Sequence, residues 1–458
     1  MGAGEAVVER LLERELERFE REHPRSLALS ERSGGLLSGV PMNWMTRWAG
    51  RQPIWMTQAS GAQLVDVDGN RYTDFCLGDT AAMAGHAPEQ TVAAIAAQAS
   101  RGIATMLPSE DASRVGELLA ERFGLARWQL TTSATDANRF VVRLARQITG
   151  RPRILVFDHC YHGSVDETVV TLSEGRVVPR VGNVGPPVDP ALTTRVVQFN
   201  DAEALERELA HEDVACVLAE PALTNIGIVP PAPGFHERLR ELTRRHGTLL
   251  VIDETHTLCA GPGGMTVADG LEPDLLTVGK AIGGGIAVGA YGMTEEVAAR
   301  VLAETVWDAA DVGGVGGTLA GNALSLAAVR ATLEHVLTPA AFAHMDAIGR
   351  RFADGVQAVI GRHGLPWHVT RIGARAEYLF LAHQPLSGAQ AAAAFDHDLD
   401  ALMHVAMLNR GILLTPFHMM ALACPATTEQ DVERHTDAFA EIVGELVDSG
   451  AVAGRHLA

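Results

Sequence analysis

Two residues of opposite chemistry stand 27 positions apart, each at the end of a short apolar run. Asp253 closes Leu249-Leu250-Val251-Ile252 and leads into Glu254, Thr255, His256 and Thr257. Lys280 follows Leu275-Leu276-Thr277-Val278-Gly279 and runs on toward Gly283-Gly284-Gly285. In an open α/β sheet, ligands bind outside the carboxyl ends of the strands, so two such strands aim both side chains into one crevice. Three chemistries compete for the lysine. A phosphate-cradling G-x-x-x-x-G-K-[ST] loop fails, because Asp274 stands at the first glycine position and Ala281 replaces the hydroxyl residue. A dinucleotide fingerprint fails as well, since Gly283-Gly284-Gly285-Ile286-Ala287-Val288-Gly289 does not follow G-x-G-x-x-G. The third is a lysine that carries an aldehyde cofactor as a Schiff base, partnered by a carboxylate that keeps a pyridine nitrogen protonated so that the ring can absorb carbanion electrons. Pyridoxal phosphate requires that pair. Taken alone, the spacing equally suits a surface lysine and a capping aspartate. His159 and His162 stand three apart, but no third ligand is placed beside them, and no metal site is expected.

The elements that would position these residues are visible in the hydrophobic pattern. Arg153–Phe157, Val214–Ala219 and Leu249–Ile252 are short continuous apolar runs, and helical patterns near 112–124, 136–149 and 234–246 separate them. Buried strands joined by crossover helices predict a mostly parallel sheet covered on both faces. Residues 5–22 carry Val8, Leu12, Leu16 and Phe19 at helical spacing, which predicts an amphipathic helix, either a packing arm or a solvated surface helix. Two alternating runs between Leu64 and Phe75 flank Asp68-Gly69 and predict a β-hairpin. A long Ala- and Leu-rich helix is expected over 319–335.

The chain has 458 residues, 47% apolar and 20% charged, with a net charge of −19. That length suits two or three lobes around a large core, and so acidic a surface excludes nucleic acid or an anionic membrane as the main partner. Five scattered cysteines read as reduced thiols of a cytoplasmic protein. No apolar stretch reaches membrane-spanning length, and the N-terminus lacks the basic-then-apolar pattern of a signal peptide.

With its motifs taken in order, the sequence resembles the class III aminotransferases, on the branch that includes glutamate-1-semialdehyde aminomutase. The resemblance runs from about Gly61 to the C-terminus. It is carried by the hairpin Gly61–Phe75, by Thr132-Ser133-Ala134-Thr135-Asp136-Ala137-Asn138, by Tyr161-His162-Gly163, Glu220-Pro221, Asp253-Glu254 and Lys280, and by Gly316-Gly317-Thr318-Leu319-Ala320-Gly321-Asn322. It implies a fold-type I architecture: a large domain over 75–330 with a mostly parallel, seven-stranded type of sheet, and a smaller α+β domain built from both termini, 1–74 and 331–458. It also implies pyridoxal 5'-phosphate as cofactor, with Lys280 and Asp253 as catalytic residues. Ser133, Ala134 and Thr135 open a helix and would meet the phosphate, although a Ser/Thr cluster there can also be a plain N-cap. Ala134 replaces the family's glycine and Asp136 its glutamate. Tyr161 would stack on the ring. His162, Glu220 and Asn225 would lie about the cofactor, and Thr255 would place a hydroxyl where most relatives carry valine. His256 is the less certain neighbour and reads more readily as a structural histidine. Thr318 would reach the phosphate of a second subunit, which implies a homodimer with shared sites.

The implied activity is transfer of an amino group between an amine or amino acid and a keto acid or aldehyde. The alternatives on the same scaffold are a glutamate-1-semialdehyde 2,1-aminomutase-type isomerase, a racemase or a decarboxylase. A protein kept only for binding or regulation is disfavoured by the intact Lys280, Asp253 and Thr318. The mutase holds its substrate's carboxylate with an arginine in the N-terminal loop and has an acidic residue near the C-terminus. The corresponding segments here, Val40–Met45 and Thr415–Met420, lack both. Trp44, Met45, Phe417 and Met420 therefore predict an apolar substrate pocket, an amine with a hydrophobic group and little mutase activity. Arg47, Arg371, Arg375 and Arg410 stay open as carboxylate partners.

Overall fold

The computed structural model describes residues 3–304, 314–416 and 418–452. The chain forms two compact units, one of residues 88–342 and 385–392, the other of 1–87, 343–384 and 393–458. The divisions at 87 and 342 fall beyond the 74 and 330 read from the sequence, and a short stretch at 385–392 joins the larger unit.

The larger unit is built on a seven-stranded sheet in the order Arg127–Thr131, Gly289–Met293, Leu275–Val278, Leu249–Asp253, Val214–Ala219, Arg153–Phe157 and Thr194–Val197. Six strands run parallel, and Gly289–Met293 runs antiparallel to both of its neighbours. Every residue of the Val214–Ala219, Leu249–Asp253 and Leu275–Val278 strands is buried, which is why the sequence shows continuous apolar runs there rather than alternation. The antiparallel strand reads Gly-Ala-Tyr-Gly-Met and gives no strand signal. Its glycines are steric: a Cβ on Gly289 would lie 2.5 Å from the Ser133 carbonyl, and one on Gly292 2.5 Å from the Trp128 indole. The helices Ala134–Thr149 and Phe235–Arg245 pack on this sheet through Ala137, Phe140, Val141, Leu239 and Leu242. The helix expected from 319 begins only at Ala323, because the Asn322 side chain accepts the Ser325 N–H at 3.0 Å and caps it, and it ends in a π-turn over Thr332–Val336.

The smaller unit takes elements from both ends of the chain. Helix Ala3–Glu22 buries Val8, Leu11 and Phe19. Phe19 joins Tyr72, Cys76, Val405, Leu408 and Leu413 in one core, so the N-terminal helix is a packing arm rather than a solvated one. The hairpin forms as Gln63–Asp66 against Arg71–Asp74, in a four-stranded sheet where Ile412–Leu413 pairs parallel to the second strand. A second sheet joins His368–Ile372, Arg375–Leu379 and Met420–Leu422, all antiparallel. All five cysteines are buried, and none is in a disulfide. Among the described residues, no helix is long and apolar enough to cross a membrane.

Candidate active site

Asp253 is the last residue of its strand, and Lys280 lies two residues beyond the end of the adjacent parallel strand. Both therefore sit at the carboxyl edge of the sheet, as the apolar runs predicted. Lys280 has φ 48°, a left-handed conformation that non-glycine residues hold at a cost and that concentrates at functional sites. Its Nζ lies 2.6 Å from Nε2 of His256.

Asp253 is buried, and four donors fix its carboxylate. Oδ1 accepts the Thr255 N–H at 3.1 Å and the Thr255 hydroxyl at 2.6 Å. Oδ2 accepts the Asn138 amide at 2.8 Å and Nδ1 of His162 at 2.9 Å. Burial by itself would push this carboxyl up; His162, then Thr255 and Asn138, outweigh it and hold the group at about 2. Burial also opposes charge on His162, yet the Cys160 sulfur and the Asp253 carboxylate raise it well above its ordinary value. The two together form a buried, ionised pair. Glu220, at the end of the neighbouring strand, accepts the Thr224 hydroxyl at 2.5 Å and the Tyr161 N–H at 3.4 Å, and burial raises its carboxyl.

Ser133 caps the Ala134–Thr149 helix, its hydroxyl accepting the Asp136 N–H at 3.2 Å. The Asp136 carboxylate in turn accepts the Ser133 hydroxyl at 3.2 Å and that of Thr132. Ser133 is thus an N-cap, as the plainer alternative had it. The amides of Ala134 and Thr135 open the helix with no hydrogen bond among the described residues, which leaves two donors and the positive end of a four-turn helix dipole for an anion. Three glycines from three other segments close on this turn. A Cβ would lie 2.0 Å from the Thr135 hydroxyl at Gly163, 2.9 Å from Ala134 Cβ at Gly279, and 2.5 Å from the Ser133 carbonyl at Gly289. The methyl of Ala134, where the family has glycine, is accommodated by the absence of one at Gly279.

A contact network in the larger unit thus joins Ser133, Ala134 and Thr135, through Gly163, to Tyr161, His162, Glu220, Asp253 and Thr255, and through Gly279 to Lys280 and His256. Asn225 and Thr318 are exposed, and Asn225 directly follows Thr224, the residue that donates to Glu220. In the smaller unit, Trp44 and Met45 are 38% and 41% exposed on a short turn, whereas Met420 is fully buried on the Met420–Leu422 strand and belongs to that unit's core rather than to an open pocket wall. Phe417 lies outside the described residues. Asn138 and Thr277 were not among the expected site residues. The Thr277 hydroxyl donates to Asn138 Oδ1 at 2.7 Å, which turns the Asn138 amide toward Asp253. The available signal was an asparagine on the buried face of an amphipathic helix, beside Ala137 and Val141.

A strand-end lysine and carboxylate over a glycine-lined helix start, on a mostly parallel seven-stranded sheet, are the marks of the fold-type I architecture. The chain belongs to the class III aminotransferases, whose family model matches residues 44–443. It is 36% identical to a glutamate-1-semialdehyde 2,1-aminomutase of Thermomicrobium roseum over 412 residues, 87% of this chain and 93% of that protein. Among solved structures, a glutamate-1-semialdehyde aminomutase from Pseudomonas aeruginosa PAO1 is 50% identical with a TM-score of 0.93, covering 96% of this chain and 99% of that one. An omega-transaminase from Sphaerobacter thermophilus is 32% identical with a TM-score of 0.83, covering 92% and 98%.

Proposed function

We propose that this chain is a pyridoxal-5'-phosphate enzyme of the glutamate-1-semialdehyde 2,1-aminomutase type, moving an amino group from carbon 2 to carbon 1 of one substrate. The observation that carries the reading is the ionised Asp253 beside a strand-end Lys280, over free helix amides in a glycine cradle. The cofactor supplies an aldehyde for the substrate's amine and a ring that draws electrons from the reacting carbon. Ala134 and Thr135 would hold its phosphate, Tyr161 its ring face and Asp253 its ring nitrogen. Lys280 then adds and removes the proton at the reacting carbon. The names of relatives that span nearly the whole chain favour this isomerase over the aminotransferase expected from the sequence, and one of those relatives is solved in complex with PMP. The aminotransferase is the second reading, favoured by the likeness to an omega-transaminase and by the missing cation in Val40–Met45. Incubation with glutamate-1-semialdehyde and no carbonyl acceptor separates the two. The isomerase yields 5-amino-4-oxopentanoate, whereas an aminotransferase stays idle until pyruvate and a hydrophobic amine are added.

An isomerase of this substrate needs a partner for a carboxylate, because desolvating that charge unpaired is costly. Arg371 is committed to Asp346 and the Gly373 carbonyl, and Arg410 to Glu441 at 2.9 Å. Arg47 is on the surface. Arg375 differs: it is fully buried, one nitrogen donates to the Thr80 hydroxyl, and Nε and Nη1 have no partner among the described residues. Glu377, two residues along the same strand, is taken by His418 at 2.7 Å. Nε of Arg410 is likewise without a partner among the described residues. Arg375→Met and Arg410→Met are therefore the variants that test for a carboxylate partner: a rise of about 30-fold in KM for glutamate-1-semialdehyde, the scale of one charge-assisted pair in a dry site, identifies it, and unchanged KM in both excludes them.

The proposed assembly is a homodimer of the cytoplasm, with Thr318 reaching the partner's cofactor phosphate. Exposed Met106, Leu107 and Leu319, at 78%, 73% and 56%, support an apolar surface that a second copy would cover. Dilution should then release cofactor and dissociate the dimer together. A fully active monomer in sedimentation would contradict this.

A further inference from the structure

Lys280 is met by a second base from the loop after the neighbouring strand. Its Nζ lies 2.6 Å from Nε2 of His256, a normal hydrogen-bond distance. An ammonium group has donors and no lone pair, so the protonated lysine donates and Nε2 accepts, which puts the ring hydrogen of the neutral imidazole on Nδ1. His256 comes from the segment that carries Asp253, three residues further on, where it precedes the short turn Thr257–Ala260. Both side chains are half-buried, so a proton on either stays within reach of water. A histidine kept for packing normally spends its ring nitrogens on backbone carbonyls, as His404 does with Asp400 and Thr415. His256 spends Nε2 on the amine that the reaction uses.

We propose that His256 carries protons for Lys280. The inference rests on the reading of Lys280 as the residue that moves the substrate's proton. The ε-amine can take a proton from carbon only after losing its own. His256 Nε2 accepts that proton: the N–H bond at Nζ breaks, one at Nε2 forms, and the imidazolium later returns the proton to Nζ or gives it to water. No further reactant is consumed.

His256→Gln keeps a hydrogen-bonding group at this place but cannot carry a proton near neutral pH, and His256→Ala removes both properties. With holoenzyme and glutamate-1-semialdehyde, or the amine–pyruvate pair if that is what the wild type turns over, His256→Gln is expected to lower kcat by about 100-fold, within the usual range for a lost proton carrier. KM should stay within about three-fold, since no substrate contact is removed. Added imidazole should restore kcat of His256→Ala in proportion to its concentration. Independently of turnover, 15N-histidine spectra of the cofactor-free protein should show Nε2 of His256 as a hydrogen-bond acceptor, and Lys280→Ala should shift that resonance. Wild-type kcat in His256→Gln, no response of His256→Ala to imidazole, or a His256 resonance indifferent to Lys280→Ala would each overturn the proposal. Failure of the underlying reading looks different: the wild type would then hold no borohydride-trappable cofactor on Lys280.

Discussion

Lys280→Ala is expected to abolish turnover, by at least about 10⁴-fold, because in the proposed reading one side chain supplies both the amine that carries the cofactor and the base that moves the proton. The fold survives the change. Lys280 is only half-buried, it lies in a four-residue turn flanked by Gly279 and Gly284, and Ala at φ 48° keeps the same Cβ, so the change opens no cavity in the core and adds no backbone strain. Cofactor is still retained in part, since the Ala134 and Thr135 amides and the glycines around them are untouched. Steady-state kinetics, borohydride trapping and thermal unfolding check the three statements separately. Ordinary steady-state activity in Lys280→Ala falsifies the catalytic assignment, whatever happens to stability.

Asp253→Asn is the second large effect. The substitution keeps the shape but removes the charge that, in the proposed reading, would stand opposite the ring nitrogen and sustain the electron sink. A loss of about 10²- to 10⁴-fold in proton abstraction is expected, the scale of one preorganised charge in a dry site. A variant within a few-fold of wild type would count against the role. The substitution also leaves the buried His162 without its anion. In the wild type the Asp253 carboxyl sits at about 2 against an ordinary 3.8. A depressed folded value contributes stability above the ordinary value, and that contribution is lost as pH falls through the folded one. The wild type therefore loses roughly 2 kcal/mol between pH 4 and 2 from this pair, and that component of acid unfolding is absent in Asp253→Asn. Urea titrations across that pH range measure it.

Much of this was legible because burial writes itself into sequence as periodicity. The strands at 153–157, 214–219 and 249–253 and the arm at Ala3–Glu22 follow from their apolar patterns. So did the strand-end placement of Asp253 and Lys280, because the end of an apolar run marks the end of a buried strand. What was not legible depends on contacts between distant segments. Gly289–Met293 carries glycine where Trp128 and Ser133 need space, so a steric demand from another strand erased the local signal. Leu319-Ala320-Gly321 before Asn322 read as the start of an Ala- and Leu-rich helix, although the asparagine cap marks the true start. Arg375 could not be told from Arg371 and Arg410 by sequence. Its distinction is the lack of a carboxylate across the sheet, and the nearest candidate, Glu377, is drawn away by a histidine 41 residues on. The substrate pocket was the least legible part. Met420 has a strand neighbour on Glu377 and lies in the core, while Trp44 and Met45 sit at the surface.

The smaller unit is assembled from the first 87 residues and from segments that begin at 343, and its four-stranded sheet closes only when Ile412–Leu413 pairs with Arg71–Asp74. On a ribosome adding about 5–20 residues per second, that closing strand emerges roughly 20–70 s after the strand it completes. The larger unit is nearly continuous and can fold in the meantime, while the apolar stripe of the N-terminal helix, with Leu12, Leu16 and Phe19, has its early partners Trp48, Ile54, Leu64 and Tyr72 but still lacks Val405, Leu408 and Leu413. Synthesis thus passes through a defined interval in which the core around the N-terminal helix is only partly covered. Slow codons or truncation before residue 412 would prolong it, and a holdase that recognises amphipathic helices would be needed most at that stage of the chain's life.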